Sequence, residues 1–197
     1  YLSIDLKDID INLNRKYKKN SIIFKKFLYV SRIDFYKNQD YVIKELSALR
    51  LSHLPDLTLK LPGLIYEPYF EKNKKLFSKN WIEFPGNISY PEIIKLYKSY
   101  DIAIFASSCE ACPTIILEMM KYGIPFLLND LPLYDELVPL IYPRFKLFKN
   151  NDLKNKILEL YNNPKLVQEI IIAGKKKVKY FEEKKMTDNL INKILFN

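Results

Sequence analysis

A chain of 197 residues with 48% hydrophobic content can fill the core of one well-packed domain but not of two full-sized ones. The formal net charge of +9 comes from 32 lysines and arginines against 23 acidic residues. The lysines are scattered and accompany no nucleic-acid-binding motif, which argues against a nucleic-acid partner. No apolar run approaches the roughly 18 residues of a membrane span, and no leader pattern opens the sequence. We expect a soluble, cytoplasmic protein whose charge is compatible with peripheral attachment to an anionic inner membrane face.

Strands and helices are predicted to alternate along most of the chain. Residues 1–25 alternate polar and apolar side chains without a clear element, so we interpret 1–25 as a connecting segment and 26–197 as one domain. Short apolar runs predict strands at 27–33, 57–61, 81–84, 101–106, 124–128 and within 139–148. Periodic apolar stripes predict helices at 39–50, 66–79, 89–100, 114–122, 133–137, 152–161, 165–179 and 183–195.

This alternation predicts an α/β fold, a Rossmann-like and mainly parallel sheet of about six strands with helices on both faces. Right-handed crossovers then require the strand order 3-2-1-4-5-6, with strands 27–33 and 101–106 adjacent at the centre. Open sheets of this kind bind ligands beyond the carboxyl ends of their strands. Candidate site residues are therefore expected in the loops that follow the strands.

The stretch 101–130 is the centre of the predicted fold. Residues 101–106 form an almost unbroken apolar run, as in a strand covered on both faces. A polar turn follows, in which Pro113 suits the first position of helix 114–122, where no backbone N–H is needed. Gly123 suits the left-handed position that ends a helix, and 124–128 resumes as a buried strand.

Two carboxylates, Glu110 and Glu118, lie in this stretch with seven residues between them. At the carboxyl edge of a sheet they suit sugar hydroxyls as hydrogen-bond acceptors, while the amides of Thr114 and Ile115 suit a phosphate. Each carboxylate is also compatible with an ordinary role, Glu110 as a charge at a helix N-terminus and Glu118 as a solvated helix residue.

Arg32, at the end of the first strand, and Lys37, before the first helix, place two cations at the same edge. Two cations suit a diphosphate, although each is also compatible with an exposed loop charge. Gly86 in the turn 85–88 would let the backbone approach a flat ligand closely. The sequence has four glycines and neither G-x-G-x-x-G nor a Walker A string, so a diphosphate must be held by other means.

The two cysteines, Cys109 and Cys112, form a C-x-x-C between a strand and a helix, where a thioredoxin-like redox pair would lie. Predicted parallel strands continue on both sides of the C-x-x-C for longer than the small thioredoxin fold needs, which argues against a redox protein. A closed zinc site needs four ligands, and His53 is the one histidine that could join the two thiols. No metal site is therefore expected.

Three stretches, Val30 to Lys37, 84–88 and 108–125, together resemble the glycosyl transferases group 1 family of retaining, GT-B nucleotide-sugar glycosyltransferases. The resemblance covers about residues 26–148 and implies the carboxyl-terminal donor-binding domain of that fold. It assigns Arg32 and Lys37 to the diphosphate, Glu110 to the donor sugar as the catalytic residue, and Glu118 to the ribose. The full set of donor-binding residues that it implies is Arg32, Lys37, Ile88, Glu110, Cys112, Pro113, Thr114, Ile115 and Glu118.

The resemblance also implies a function, sugar transfer from a UDP-, GDP- or ADP-sugar in cell-surface polysaccharide or glycolipid synthesis, with no obligatory metal. Ser31 stands where the family usually has glycine, and 112–114 replaces the common Phe-Gly-Leu, so Pro113 offers no N–H to the donor. Family members carry an amino-terminal domain that binds the acceptor and supplies a histidine. We expect this chain to need that domain as a partner for activity. A non-catalytic nucleotide-binding module and a redox protein stay as alternatives.

Overall fold

The computed structural model of the chain describes residues 23–111 and 113–182. Most of the connecting segment, Cys112 and the last predicted helix, 183–195, lie outside the described residues.

The sheet has the predicted architecture. Its six strands are β1 (Lys26–Leu28), β2 (Thr58–Lys60), β3 (Ile82–Glu83), β4 (Ile102–Phe105), β5 (Phe126–Asn129) and β6 (Arg144–Phe145). They lie in the order β3-β2-β1-β4-β5-β6, and every neighbouring pair is parallel. Phe27 lies opposite Ile102, which confirms that β1 and β4 are central neighbours.

Within the described residues, six α-helices lie in the connections between strands and two follow the last strand. They are α1 (Gln39–Ser52), α2 (Glu67–Lys72), α3 (Lys74–Phe77), α4 (Tyr90–Ser99), α5 (Thr114–Tyr122), α6 (Tyr134–Leu137), α7 (Asp152–Tyr161) and α8 (Pro164–Val178). Helix α1 packs against α3 and α7, whereas α5 packs against α4 and α8. Right-handed crossovers put these two groups on opposite faces of the sheet.

Three predicted elements differ most from the structure, whereas the bounds of the other described elements shift by at most two residues. The predicted helix 66–79 is two short helices that meet at Asn73, whose ψ of 10° leaves the helical region. The predicted strand within 139–148 shortens to Arg144–Phe145, directly after Pro143, which has no N–H for a ladder hydrogen bond. The strand predicted at 27–33 ends at Leu28. The amides of Tyr29, Ser31 and Ile33 nevertheless continue the ladder, because they donate to the carbonyls of Lys60, Pro62 and Leu64, at the end of β2 and just after it.

The packed domain begins earlier than residue 26. Phe24 is fully buried, and its ring meets Tyr161 with the ring centroids 6.1 Å apart. The buried Asp101 carboxylate accepts the backbone amides of Lys25 at 2.8 Å and Lys26 at 2.7 Å. Residues 24 and 25, which we interpreted as connecting segment, therefore help to fix the start of β1 against β4.

The central unit from β4 to β5 forms as predicted, with one shift of a residue. Gly123 follows α5 with a φ of 68°, the left-handed conformation expected of a helix-ending glycine. Pro113 is the N-cap of α5 rather than its first helical residue, because its ψ of 72° lies outside the helical region. Thr114 is thus the first helical residue, and its amide belongs to the exposed first turn.

Candidate functional site

The loop after β1 is fixed to the loop after β4 by one asparagine. Asn38 has a φ of 53°, a left-handed conformation that asparagine tolerates better than most residues. Its side-chain amide donates to the carbonyl of Ala106 and to the hydroxyl of Ser108, both at 2.7 Å. The two loops that carry the candidate residues are therefore held side by side at the carboxyl edge of the sheet.

Lys37 and Glu110 form an ion pair at this edge. Each side chain is only 11% exposed. The Lys37 ammonium also lies 5.0 Å from the ring centroid of Tyr36 and 5.3 Å from that of Phe105. Two charges withdrawn from water to this degree are costly to separate, because removing one partner leaves the other charge uncompensated. The structure thus brings together two of the residues that the sequence assigns to the donor.

Arg32 lies on the same loop but points to a different partner. Its Nε is 3.0 Å from the Asp34 carboxylate, and its guanidinium lies 5.5 Å from the ring centroid of Tyr66. Half of the Arg32 side chain is exposed, so it is accessible to an anion from solution. The Gln39 side-chain amide donates to the Arg32 carbonyl at 2.8 Å and fixes the backbone there.

Glu118 contacts α4 rather than the pair formed by Lys37 and Glu110. The hydroxyl of Tyr97 donates to its carboxylate at 2.9 Å. Burial raises the pKa of Glu118 above its ordinary value, and the Tyr97 hydrogen bond and the charge of Lys121 partly offset that rise. In the sequence, Tyr97 belongs to the apolar stripe that predicts helix 89–100. It is fully buried, but its hydroxyl also orients Glu118, a role that periodicity alone does not reveal.

The remaining donor-binding candidates lie in two loops. Ile88 is half-buried in the loop after β3, near Gly86, whose carbonyl accepts the amide of Gly63 at 2.8 Å. Pro113 is buried, Thr114 is exposed and Ile115 is half-buried at the start of α5. First-turn amides of a helix have no partner within the helix and suit an anion. Cys112 is outside the described residues.

Of the other chemistry-bearing residues, His53 lies away from this edge, whereas Cys109 directly precedes Glu110 in the loop after β4. His53 follows α1 and so lies at the amino end of β2, where its Nδ1 is 2.6 Å from the Ser52 hydroxyl. Cys109 is an exposed free cysteine. Within residues 23–111 and 113–182 no three His, Cys, Asp or Glu side chains group as metal ligands do. No helix in that part of the chain is both long and apolar enough to cross a bilayer.

Two buried tyrosines beside Glu110 were not predicted as part of the site. The hydroxyl of Tyr29 donates to the Lys37 carbonyl at 2.6 Å and accepts the Ala106 amide at 3.1 Å. Tyr134, at the start of α6, is fully buried. Burial raises the pKa of both phenols, and the negative charge of Glu110 adds to the rise. Neither tyrosine belongs to a motif of the sequence, and their surroundings depend on residues that are distant along the chain.

The sheet order and the loops at its carboxyl edge define a Rossmann-like α/β domain of the kind found in GT-B glycosyltransferases. A model of the family described as "Glycosyl transferases group 1" matches residues 13–177. The chain therefore belongs to the glycosyl transferases group 1 family. No curated protein matches the chain.

Solved structures share the fold at low sequence identity. Anabaena HepE, solved with UDP-glucose, is 17% identical over 87% of this chain and 48% of its own, with a TM-score of 0.76. The pneumococcal O-GlcNAc transferase GtfA, solved with UDP and GlcNAc, is 18% identical over 98% of this chain and 38% of its own, with a TM-score of 0.71. A glycosyltransferase from Rickettsia africae is 22% identical over 100% of this chain and 56% of its own, with a TM-score of 0.76. The chain thus spans about half the length of HepE.

Proposed function

We propose that this chain is the donor-binding half of a retaining hexosyltransferase that takes a sugar from a UDP-, GDP- or ADP-sugar. The observation that carries the proposal is the Lys37 and Glu110 pair at the carboxyl edge, beside the first turn of α5. Family membership and the UDP or UDP-glucose bound to proteins of the same fold support it. Synthesis of a cell-surface polysaccharide or glycolipid, in the cytoplasm at an anionic membrane face, is part of the proposal.

The diphosphate needs a mobile cation and a fixed set of donors. Lys37 supplies the cation, because its long side chain can turn from the Glu110 carboxylate to a phosphate while the loop stays in place. Arg32 adds a half-exposed guanidinium on the same loop. The amides of Thr114 and Ile115 add the positive end of α5. These groups stabilise the negative charge that develops on the leaving diphosphate, so no obligatory divalent ion is proposed.

The contacts proposed for the rest of the donor follow from the family resemblance. Glu110, released from Lys37, accepts hydrogen bonds from hydroxyls of the donor sugar and touches the reacting ring. Glu118, held by Tyr97, accepts from the ribose hydroxyls. The backbone at Ile88 meets the base, and the backbone of 112–115 meets the sugar and the phosphate.

The chain by itself is proposed to bind donor without transferring its sugar. Transfer requires the acceptor hydroxyl held against the anomeric carbon in a site closed to water. The described residues supply groups for the donor, and the amino-terminal GT-B domain is the proposed partner that supplies the acceptor wall. Incubating the chain with donor and a panel of acceptors tests this part, and transfer well above the rate of donor hydrolysis would contradict it.

Donor binding is tested by calorimetric titration of two matched lysine variants with UDP, GDP and ADP. Lys37→Gln removes the proposed phosphate ligand, and we expect a loss of about tenfold or more in affinity for the nucleotide that the unmodified chain binds. Lys44→Gln is the control, because Lys44 is an exposed residue of α1 paired with Asp40 at 3.2 Å. Equal affinities in the two variants would show that Lys37 does not contact the diphosphate.

A further inference from the structure

The chain segment from β5 to β6 contains buried polar atoms without hydrogen-bond partners. Among the residues that the structure describes, the buried side-chain atoms that lack a hydrogen bond are Asn129 Oδ1, Tyr134 Oη and Arg144 Nη2. Asn129 ends β5, Tyr134 begins α6 and Arg144 begins β6. A buried hydroxyl without a partner costs free energy that a phenylalanine in the same place would not cost. Packing alone therefore does not explain the hydroxyl of Tyr134.

The ring of Phe105 connects Tyr134 to the donor site. Its centroid lies 6.1 Å from that of Tyr134 and 6.2 Å from that of Tyr29, and the Lys37 ammonium lies 5.3 Å from it. The Tyr29 hydroxyl makes two hydrogen bonds, whereas the Tyr134 hydroxyl makes none within the described chain. Both tyrosines pack against Phe105, but only the Tyr134 hydroxyl is left without a hydrogen bond in the described chain.

The surroundings keep the Tyr134 phenol protonated. Burial raises its pKa, and the nearby charge of Glu110 raises it further. A protonated phenol is a hydrogen-bond donor with no charge of its own. The phenol can therefore donate a hydrogen bond to a carboxylate that lies beside a bound anion. A cation in the same place would be attracted to the anion as well as to the carboxylate.

Donor binding creates the need for such a group. In the free protein Lys37 compensates Glu110. When Lys37 turns to a diphosphate, Glu110 becomes a largely buried carboxylate next to new negative charge, and a buried charge that loses its partner is strongly unfavourable. A neutral donor within reach of Glu110 would offset that cost.

We propose that Tyr134 is a positioning residue that takes over Glu110 from Lys37. Lys37 holds Glu110 in the free protein, and the Tyr134 hydroxyl donates to it when the diphosphate draws Lys37 away. The exchange breaks one ion pair and forms one hydrogen bond, and it keeps Glu110 aimed at the donor sugar. This inference rests on the proposed function, but its first test needs no ligand.

The first test is a double-mutant cycle of thermal unfolding at pH 8. Tyr134→Phe in the unmodified chain should leave Tm unchanged or raise it, because the deleted hydroxyl makes no bond there. Lys37→Met mimics the departure of Lys37, and in that background Tyr134→Phe should lower Tm by about 2 to 6 °C. Tyr142→Phe is the matched control, since Tyr142 is also buried and its pKa is raised by burial alone. Equal effects of Tyr134→Phe in both backgrounds would overturn the exchange.

The second test is calorimetric titration with UDP, GDP and ADP. Tyr134→Phe should lower the affinity for the nucleotide that binds the unmodified chain by about tenfold. In a Glu110→Gln background this loss of affinity should vanish, because glutamine carries no negative charge that needs a hydrogen-bond donor. Affinity within twofold of the unmodified chain, or an equal loss in both backgrounds, would refute the role of Tyr134 and leave the proposed function standing. An unmodified chain that binds none of the three nucleotides would overturn the proposed function and this inference with it.

Discussion

Replacing Glu118 by glutamine should change the stability of the domain and its affinity for nucleotide in opposite directions. Burial raises the pKa of Glu118 above its ordinary 4.5, so the folded chain binds this proton more tightly than the unfolded chain does. The carboxyl group therefore favours folding at low pH, and this contribution is lost as pH rises through the raised pKa. Glutamine keeps an oxygen that can accept the Tyr97 hydroxyl, but it carries no charge. We expect Glu118→Gln to unfold at a higher temperature than the unmodified chain at pH 8, and the difference to disappear below pH 4.

The same substitution should weaken nucleotide binding. A carboxylate can accept both ribose hydroxyls, and hydrogen bonds to a charged acceptor contribute more than those to a neutral amide. Their weakening corresponds to about 1 to 3 kcal/mol, or about 5- to 150-fold in affinity. Glu118→Ala should lower the nucleotide affinity by a similar factor or more.

Calorimetric titration and thermal melts at two pH values measure both effects on the same samples. Glu159→Gln is the control, because Glu159 is a partly exposed residue of α7 that pairs with Lys156. A Glu118→Gln variant with nucleotide affinity within twofold of the unmodified chain would refute the ribose role. A variant less stable than the unmodified chain at pH 8 would contradict the inference that burial of the charge is unfavourable.

The fold itself yields further predictions. A Cβ on Gly63 would lie 1.9 Å from the carbonyl oxygen of Ser31 at a φ of +149°, so Gly63→Ala should cost at least about 2 kcal/mol in urea unfolding. Gly86→Ala, at a φ of +74° with no atom within 4 Å of the new methyl group, should cost only about 1 kcal/mol, and equal costs would mean that the contact with Ser31 relaxes freely. Asp101→Ala leaves the amides of residues 25–26 without their buried acceptor and should cost about 2 kcal/mol or more, whereas an unchanged urea midpoint would show that water replaces the carboxylate.

Much of the fold follows from local sequence signals. The strand 102–105 and the helix end at Gly123 can be predicted from the sequence, because each depends on residues only a few positions apart. Alternation of strands and helices, with right-handed crossovers, then fixes the sheet order. The break at Asn73 was missed, because the apolar periodicity continues across it. At the break the Asn73 side-chain amide donates to the carbonyl of Tyr69 at 2.9 Å.

The site was predicted less completely, because its contacts join distant residues. The sequence placed Lys37 and Glu110 at one edge, but not the ion pair between them, which spans 73 positions. Tyr97 belongs to the apolar stripe of helix 89–100, and nothing local indicates that its hydroxyl donates to Glu118, 21 positions away. Asn38 and Tyr134 have no sequence motif at all. Their roles depend on a left-handed backbone in one case and on an unused buried hydroxyl in the other.

The most direct test of the donor site is a crystal structure of this chain with whichever of UDP, GDP or ADP binds it most tightly. We expect the diphosphate between Arg32, Lys37 and the first turn of α5, with the ribose on Glu118 and Lys37 turned away from Glu110. A nucleotide bound elsewhere on the domain would contradict the proposed site. A diphosphate at this edge with Lys37 still paired to Glu110 would contradict the role of Lys37 as its mobile ligand.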